Sequence, residues 1–237
     1  MVDFHSHILP GIDDGSKNVK ESLDILKEMY SQGITKVVAT PHFLARHQSV
    51  EEFVFERNKA IETLKESLNG VSDIPQVYVG SETEYYDGIG ECEGIEKLCI
   101  MGTRLILVEM PFNLWTEAVY RNLMRIQERG FVPVIAHLER YISYQNEEKC
   151  FERLEEMGVQ VQCNCTFFTR RMTRKKAIRY IGGRRINFIG TDSHDMKSRK
   201  PQMDKALKII EKKHGYEAVE DLLDYSESAL RSATVVI

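Results

Sequence analysis

The chain has 237 residues and a formal net charge of -4 at pH 7, and 42% of its residues are hydrophobic. This balance argues against nucleic acid or an anionic membrane surface as the partner, and no apolar run approaches the ~18 residues that a bilayer span requires. The five cysteines are odd in number and lack zinc-finger spacing, which predicts free thiols in a cytoplasmic protein. Polar residues interrupt the N-terminal apolar stretch, so it does not resemble a secretory signal.

Apolar stretches of strand length alternate with amphipathic stretches of helical period along the whole chain. Strands are predicted at 2–7, 34–42, 76–85, 104–112, 132–139, 159–165 and 186–194. Helices are predicted at 18–33, 50–69, 115–130 and 146–158, then as a basic helix before the seventh strand, and at about 201–213 and 216–230. The alternation is typical of parallel βαβ units. Because no linker divides these units, residues 1–237 are expected to form one domain.

Polar residues stand where the predicted strands end. They are His7, His42, Glu82, Glu109, His137, Asn164 and Asp192, and gaps of 27, 28, 27 and 28 residues separate the last five. A repeated βα unit produces such a period. In a TIM-type barrel the C-terminal strand ends meet on one face and form the active site, whereas an open sheet would spread them along an edge. The sequence therefore predicts an α/β fold, a distorted (β/α)7 TIM-like barrel with its site at the C-terminal strand ends.

Eight side chains near these strand ends have donor atoms that bind metal ions. They are His5, His7, His42, Glu82, Glu109, His137, Asp192 and His194. The first two and the last two are spaced i, i+2, which directs both members of each pair to the same side of a strand. Any one of them alone is more commonly a structural, hydrogen-bonded residue, but a carboxylate set among apolar residues, such as Glu109, needs a cation. Mixed ligation of this kind suits Mn²⁺, Fe or Zn²⁺, with Mg²⁺ also acceptable, and eight donors predict two or three ions.

A metal cluster of this kind favours the hydrolysis of phosphate esters. Closely spaced ions lower the pKa of a shared water and stabilise the attacking and leaving oxygens. The remaining phosphate oxygens need cationic donors with a forked geometry, which arginine supplies. Arg140 and Arg199 follow candidate ligands closely in the sequence. We interpret them as phosphate-binding residues, with a role as ordinary surface arginines as the alternative.

Six motifs occur in order between residues 3 and 201. They read DFHSHILPGIDDG, ATPHF, VGSE, VEMPF, VIAHLERY and GTDSHDMKSRKP. By these motifs the chain resembles the PHP (polymerase and histidinol phosphatase) superfamily, and most of all the metal-dependent bacterial tyrosine-protein phosphatases of capsule and exopolysaccharide loci, the CpsB/CapC type. The resemblance implies a distorted (β/α)7 barrel, a centre of three ions, usually manganese, at the eight positions above, and phosphate binding by Arg140 and Arg199. It also implies a phosphotyrosine substrate on the tail of a bacterial tyrosine kinase that drives polysaccharide export.

The resemblance leaves the acidic pair of the first motif open. In the wider superfamily the acid that matches Asp14 often belongs to the metal site, so Asp14 is expected to bind metal or to support a ligand. Asp13 suits either role equally well, and a turn or cap role for both is an alternative. Three residues depart from the usual family pattern: Ser81 stands for Gln, Glu84 for Arg and Leu138 for Pro. Of these, Glu84 is expected to add negative charge near the mouth of the barrel.

One stretch suggests a different mechanism. Cys165 precedes Arg171 by six residues, which is the C-x5-R spacing of cysteine-dependent phosphatases. The loop lacks the glycines that would let backbone amides wrap a phosphate. We therefore predict Cys163 and Cys165 to be strand residues. Phe167 and Phe168 are expected either to flank the mouth, where they would stack on a phosphotyrosine ring, or to pack in the core.

Two further functions remain open at this stage. The same ligands are compatible with a small-molecule phosphatase of the histidinol-phosphate kind and with a non-catalytic, metal-dependent phosphotyrosine binder. The complete ligand set favours an enzyme over the binder. A nuclease is disfavoured by the negative net charge. The sequence predicts no particular oligomeric state.

Overall fold

All seven predicted strands are present in a computed structural model, which describes residues 1–68 and 70–237. The strands are β1 (Val2–Ser6), β2 (Lys36–Ala39), β3 (His42–Phe43), β4 (Gln76–Val79), β5 (Glu82–Glu84), β6 (Leu105–Glu109), β7 (Val132–Ile135), β8 (Gln160–Asn164) and β9 (Phe188–Gly190). The second and third predicted strands are each interrupted. Thr40 and Pro41 separate β2 from β3, and Gly80 and Ser81 separate β4 from β5.

The strands are parallel and follow one another around a barrel. β2 pairs with β1 and β4, β5 pairs with β3 and β6, and β7, β8 and β9 follow in order. The last strand returns to the first, since the amide of Asp192 donates to the His5 carbonyl at 2.8 Å and that of His7 to the Ser193 carbonyl at 2.9 Å. Gly190 permits this approach, because a Cβ there would lie 2.6 Å from the His5 Cβ. The predicted distorted (β/α)7 barrel is confirmed.

The distortion lies between β4 and β6, and it has a specific cause. One edge of β4 pairs with β2, and its other edge pairs with the C-terminal segment 234–237 and not with β6. The amide of Val77 donates to the Ile237 carbonyl and the Val77 carbonyl accepts from the amide of Val236, both at 2.9 Å. This satisfies the backbone polar groups at that edge. As a result, β6 joins the ladder only beyond the interruption, through β5, at the end of the barrel where the predicted ligands lie.

Helices surround the strands. In the described part of the chain they are α1 (Val19–Ser31), α2 (Val50–Glu66), α3 (Glu117–Glu128), α4 (Glu147–Glu156), α5 (Cys165–Thr169), α6 (Arg174–Gly182), α7 (Met203–His214) and α8 (Tyr216–Ala229). A capping box between Ser49 and Glu52 begins α2. This helix, predicted at 50–69, ends at Glu66, and Asn69 lies outside the described residues. No helix among the described residues has both the length and the apolar character needed to cross a lipid bilayer.

A small apolar cluster fills the barrel beneath the C-terminal strand ends. Phe4 and Phe188 stack there with ring centroids 3.7 Å apart, and Leu107 and Val134 are buried in the same cluster. Side chains alternate along a strand, so Glu109 continues the inward-facing positions of β6 two residues beyond Leu107. The polar residues at the strand ends therefore stand on an apolar floor.

One local prediction is wrong. Cys163 lies in β8, but Cys165 begins the short helix α5 and does not belong to the strand. Five residues are too few to show a helical period in the sequence. The turn is held from outside, because the guanidinium of Arg174 donates to the Phe168 carbonyl at 3.0 Å. Phe167 and Phe168 are buried in the core, although Phe167 also lines a cavity beside Arg140 and Arg199.

Candidate metal centre

All eight predicted ligands lie at the C-terminal end of the barrel. They are His5 on β1, His42 on β3, Glu82 on β5, Glu109 on β6, and His7, His137, Asp192 and His194 in the loops after β1, β7 and β9. Strand register places His42 directly beside Glu82. His137 and Asp192 adopt left-handed backbone, with φ of 31° and 51°. This conformation is costly for residues other than glycine and is concentrated at functional sites.

Glu82 stands at the centre of the cluster and is buried. Its Oε1 lies 2.5 Å from His137 Nε2, and its Oε2 lies 3.2 Å from His5 Nε2, 3.1 Å from His7 Nε2 and 3.3 Å from His42 Nδ1. Burial alone would raise the pKa of Glu82, but the facing imidazoles of His5 and His137 hold it well below its usual range. One ionised carboxylate therefore faces four imidazole rings.

The donor atoms form four overlapping groups. They are His7, Asp14, His42 and His194; His5, Glu82 and His137; His5, His7 and Asp192; and His42, Glu82 and Glu109. Within each group the donor atoms lie within 4.8 Å of one another. Because neighbouring groups share side chains, they are close enough for one side chain to contact two ions. The geometry thus brings together all eight predicted ligands and adds Asp14.

Three of the five histidines in the cluster have the protonation that metal binding requires. At His5 and His7 burial alone would lower the pKa, but facing carboxylates, Glu82 and Asp13 among them, raise it. The buried nitrogens His42 Nδ1 and His194 Nε2 have no hydrogen-bond partner among the described residues, although a buried polar atom normally has one. Burial lowers the pKa of His137 to about 4 and also lowers the pKa of His42 and of His194. Neutral imidazoles with a free nitrogen are the form that binds a divalent cation.

Three residues outside the cluster orient its histidines. His5 Nδ1 lies 3.1 Å from Gln162 Oε1, and His137 Nδ1 lies 2.9 Å from the hydroxyl oxygen of Tyr141. His7 Nδ1 lies 2.7 Å from an Asp13 carboxylate oxygen. When each Nδ1 carries its proton toward these partners, Nε2 presents a lone pair to the centre of the cluster, as metal-binding histidines require.

The structure gives the two acids of the first motif different positions. Asp13 supports His7 from outside and also accepts from the amides of Gly15 and His42, at 2.9 and 3.1 Å. Asp14 faces the cluster, with one oxygen 3.4 Å from His42 Nε2 and 3.2 Å from His194 Nε2. The geometry therefore suits Asp14 to be a ligand and Asp13 to hold a ligand in place.

Both predicted phosphate-binding arginines lie beside the cluster. Arg140 and Arg199 form ion pairs with the two oxygens of the Asp192 carboxylate, the second at 2.6 Å. Burial alone would raise the pKa of Asp192, but His5 and Arg140 hold it well below its usual range. About a third of each arginine side chain is exposed, 33% and 35%. Each guanidinium thus contacts both the cluster and the solvent-facing mouth.

The three departures from the family pattern leave the cluster intact. Ser81 donates to the Leu98 carbonyl at 2.8 Å, and Leu138 is buried in the core. Glu84 forms an ion pair with Arg46, so its negative charge, which the sequence placed near the mouth, has a local counter-charge. None of the three displaces a donor atom.

The cysteine alternative does not fit the geometry. Cys165 is buried, its sulfur lies 3.6 Å from the Met203 sulfur, and burial raises its pKa well above the usual range of a thiol. Arg171 follows α5 in the sequence, and its side chain is exposed. A nucleophilic cysteine needs an accessible thiolate, which Cys165 does not provide.

The sequence reasoning missed several residues around the site. Gln162 and Tyr141 orient ligands, and the side chain of Asn164 donates to Asp192 at 2.7 Å. The i, i+2 spacing of Gln162 and Asn164 on an apolar strand was an available signal for this pair. Phe112 is half-exposed and its ring meets that of Tyr141 edge-on at 4.8 Å, with Tyr144 beside it. Loop aromatics show no period, so this contact left no signal in the sequence.

Similar proteins match this chain over almost their whole length. The family model for capsular polysaccharide synthesis proteins, CpsB/CapC, matches residues 1–230. Tyrosine-protein phosphatase CpsB of Streptococcus pneumoniae is 30% identical over 232 residues, which cover 94% of each chain. Tyrosine-protein phosphatase YwqE of Bacillus subtilis (strain 168) is 28% identical over 246 residues, which cover 99% of this chain and 93% of YwqE.

Solved structures show the same relationship. One match comes from crystal structures of YwqE from Bacillus subtilis and CpsB from Streptococcus pneumoniae, which are described as unique metal-dependent tyrosine phosphatases. Its TM-score is 0.87 at 27% identity, and the match covers 99% of this chain and 96% of that chain. Histidinol phosphate phosphatase from Lactococcus lactis shares the fold, with a TM-score of 0.54 at 16% identity over 90% of this chain and 93% of that chain. The chain therefore belongs to the CpsB/CapC family of capsular polysaccharide synthesis proteins.

Proposed function

We propose that this chain is a metal-dependent protein-tyrosine phosphatase, a hydrolase of phosphotyrosine on proteins, and that residues 1–237 form one phosphatase domain. The observation that carries the proposal is the convergence of eight histidine and carboxylate side chains beside Arg140 and Arg199. Strands from the first and last parts of the chain supply these side chains. The names of the relatives, tyrosine-protein phosphatases CpsB and YwqE, support the same activity.

We propose that the cluster holds two or three Mn²⁺ ions. The ligands are the eight predicted residues, with Asp14 as a ninth. Mixed imidazole and carboxylate donors suit Mn²⁺ and are also acceptable to Fe, Zn²⁺ and Mg²⁺. Closely spaced ions supply a water of lowered pKa and offset the charge on the phosphate oxygens. Gln162, Tyr141 and Asp13 contribute by holding the histidine nitrogens in the orientation for binding.

Arg140 and Arg199 are the residues that we propose bind the phosphate group. Their guanidinium groups now pair with Asp192, whose second role is that of a metal ligand. A cation held by Asp192 would take part of the negative charge that now pairs with the two arginines, and Arg140 and Arg199 would then be able to donate to the non-bridging phosphate oxygens. Forked, charge-assisted hydrogen bonds from two sides would orient the phosphorus for in-line attack and strengthen as charge develops in the transition state.

The phenyl ring of the substrate would rest on the aromatic edge formed by Phe112 and Tyr144. These rings are half-exposed and adjoin Tyr141, which contacts His137. An edge-on or offset contact between aromatic rings is favourable. We propose that the physiological substrate is the tail of a bacterial tyrosine kinase that controls capsule or exopolysaccharide synthesis. Five unpaired cysteines support a cytoplasmic location.

The proposal is tested by metal analysis combined with substrate comparison. The purified protein is expected to contain manganese or a similar ion, to lose turnover of a phosphotyrosine peptide in a strong chelator and to regain it with Mn²⁺. Turnover of histidinol phosphate should be much slower. Cys165→Ala is the matched control and should retain activity. Hydrolysis that survives the chelator but is lost in Cys165→Ala would overturn the metal mechanism, and a preference for histidinol phosphate would overturn the substrate.

A further inference from the structure

A cavity of about 360 Å³ opens from the side of the metal centre. Arg140, Asp192 and Arg199 line it on the side that it shares with the centre, and Arg170 and Lys200 line it elsewhere. When the phosphate group of a substrate contacts Arg140 and Arg199, the part of the substrate attached to that phosphate would therefore extend into this cavity.

A second cavity of about 420 Å³ adjoins the first and shares part of its wall, and we treat the two as one groove. Thr166, Arg170 and Ser198 line both cavities. The second cavity also has Arg174 and Lys205 in its wall, and none of its lining residues is acidic. The groove thus runs from the phosphate-binding arginines between α5 and α7. Its inner part also has the carboxyl groups of Glu139 and Asp192 in its wall, and its outer part is basic.

The four outer cations of this groove are Arg170, Arg174, Lys200 and Lys205. Within residues 1–68 and 70–237, no aspartate or glutamate forms an ion pair with any of them, whereas arginines on neighbouring helices do have such partners, as in the pair Arg179–Glu147. The Arg174 guanidinium donates to backbone carbonyls of α5. Like charges placed together without counter-charge repel one another, and a bound anion would relieve that repulsion.

We propose that this groove binds an anionic side chain of the same substrate peptide, a carboxylate or a second phosphate group, located a few residues from the phosphotyrosine. The inference rests on the proposed function and adds to it a determinant of substrate choice. The groove begins at the arginines that are proposed to bind the reacting phosphate. An anionic side chain held in the groove can therefore belong to the same peptide as that phosphate. The hydroxyl of Thr166 adds a neutral hydrogen-bond donor suited to phosphate or carboxylate oxygens.

The test uses three peptides that contain one common phosphotyrosine. Their flanking residues are neutral, glutamate-rich, or carry a second phosphotyrosine. The metal-loaded protein, the double variant Arg170→Gln/Lys205→Gln and the matched control Lys212→Gln/Lys213→Gln are compared by kcat/KM and by fluorescence anisotropy binding at low ionic strength. The control removes the same charge from the last turn of α7, away from the groove.

The unsubstituted protein is expected to favour the anionic peptides over the neutral one by about tenfold, the effect of one charge-assisted hydrogen bond. The groove variant should lose that preference while the control keeps it, and both should hydrolyse p-nitrophenyl phosphate at the original rate. If the protein prefers only the doubly phosphorylated peptide, the groove binds phosphate. If it prefers both anionic peptides equally, the groove binds carboxylate as well.

Three results would overturn the inference: no preference in the unsubstituted protein, a preference that survives in the groove variant, or an equal loss in the control. Failure of the proposed function is distinguishable, because it would abolish turnover of every substrate. In that case the anisotropy measurements still decide whether the groove selects anionic peptides. All four substituted residues are exposed, and a thermal unfolding curve for each variant verifies that it is folded.

Discussion

The inner and outer sides of the metal centre differ in how deeply their candidate ligands are buried and in whether neighbouring side chains support them. On the inner side, His5, Glu82 and His137 are at most 1% exposed, and Gln162 and Tyr141 contact the two imidazoles from behind. On the outer side, the carboxylates of Asp14 and Glu109 and the imidazole of His42 are 64%, 19% and 23% exposed. A buried, supported set is pre-organised for metal, whereas an open set is accessible to substrate and water.

Burial also changes the charge that each carboxylate carries. Glu82 is ionised because the surrounding imidazoles outweigh its burial. For Glu109 burial has the larger effect and raises the pKa to about 7, with the neighbouring charge of Glu82 contributing. The two glutamates are close in space, yet the inner one holds its negative charge more firmly. The inner side of the centre is thus the one on which metal retention should depend most.

The largest expected effect is at the inner side. Glu82→Gln removes the charge that faces four imidazoles and should lower kcat/KM for a phosphotyrosine peptide by about 10³-fold or more, with loss of bound metal. Asp14→Asn, on the outer side, should cost only about tenfold and be restored by excess Mn²⁺. Steady-state kinetics and metal content by mass spectrometry measure both. Equal losses in the two variants would show that the two sides do not differ.

A smaller effect is expected from the arginines that span the two sides. Arg140→Ala should lower kcat/KM by about 10²-fold, because it removes a charge-assisted donor to the transition state. Bound metal should be retained, which separates this loss from that of Glu82→Gln. Inhibition by inorganic phosphate should weaken in parallel. Unchanged inhibition would mean that Arg140 does not contact the phosphate.

Gln162→Leu tests whether the side chain behind His5 supports metal binding. Without the amide oxygen, the His5 ring loses the partner of its Nδ1, and the dissociation constant for metal should rise by about 10- to 100-fold. Activity at saturating Mn²⁺ should recover most of its original value. Gln160→Leu, at the far end of the same strand, is the control and should leave metal affinity unchanged. A loss of activity that saturating metal does not restore would contradict a supporting role.

The smallest effect is expected at the mouth. Phe112→Ala removes one ring of the aromatic edge and should raise KM for phosphotyrosine peptides by about two- to tenfold, the size of an aromatic pair contact. Inhibition by inorganic phosphate should not change, because that ion has no ring. Phe55→Ala removes an exposed phenylalanine from α2 and serves as the control. An unchanged KM in Phe112→Ala would place the substrate ring elsewhere.

The sequence predicted the strands, and that the candidate ligands meet at one end of them, because both depend on local pattern. Strand-end residues such as Glu109 and His137 follow apolar segments at a regular spacing, and parallel packing brings such ends together. The short helix at Cys165 was missed because five residues show no period and the guanidinium of Arg174, in the next helix, holds its carbonyl groups. The sequence also left Asp13 and Asp14 equivalent, since adjacent identical side chains differ only in the direction that the folded loop gives them.

The sequence alone predicted the number of barrel strands and which polar and basic side chains meet at their ends, because each depends on residue type and spacing. Only the tertiary structure decided which side of the centre is supported and which is open. Contacts such as that of Gln162 with His5, or the groove lined by Arg140, Arg170 and Lys205, join residues far apart in the chain. Such contacts depend on how strands and helices close around one another, and no local pattern encodes that.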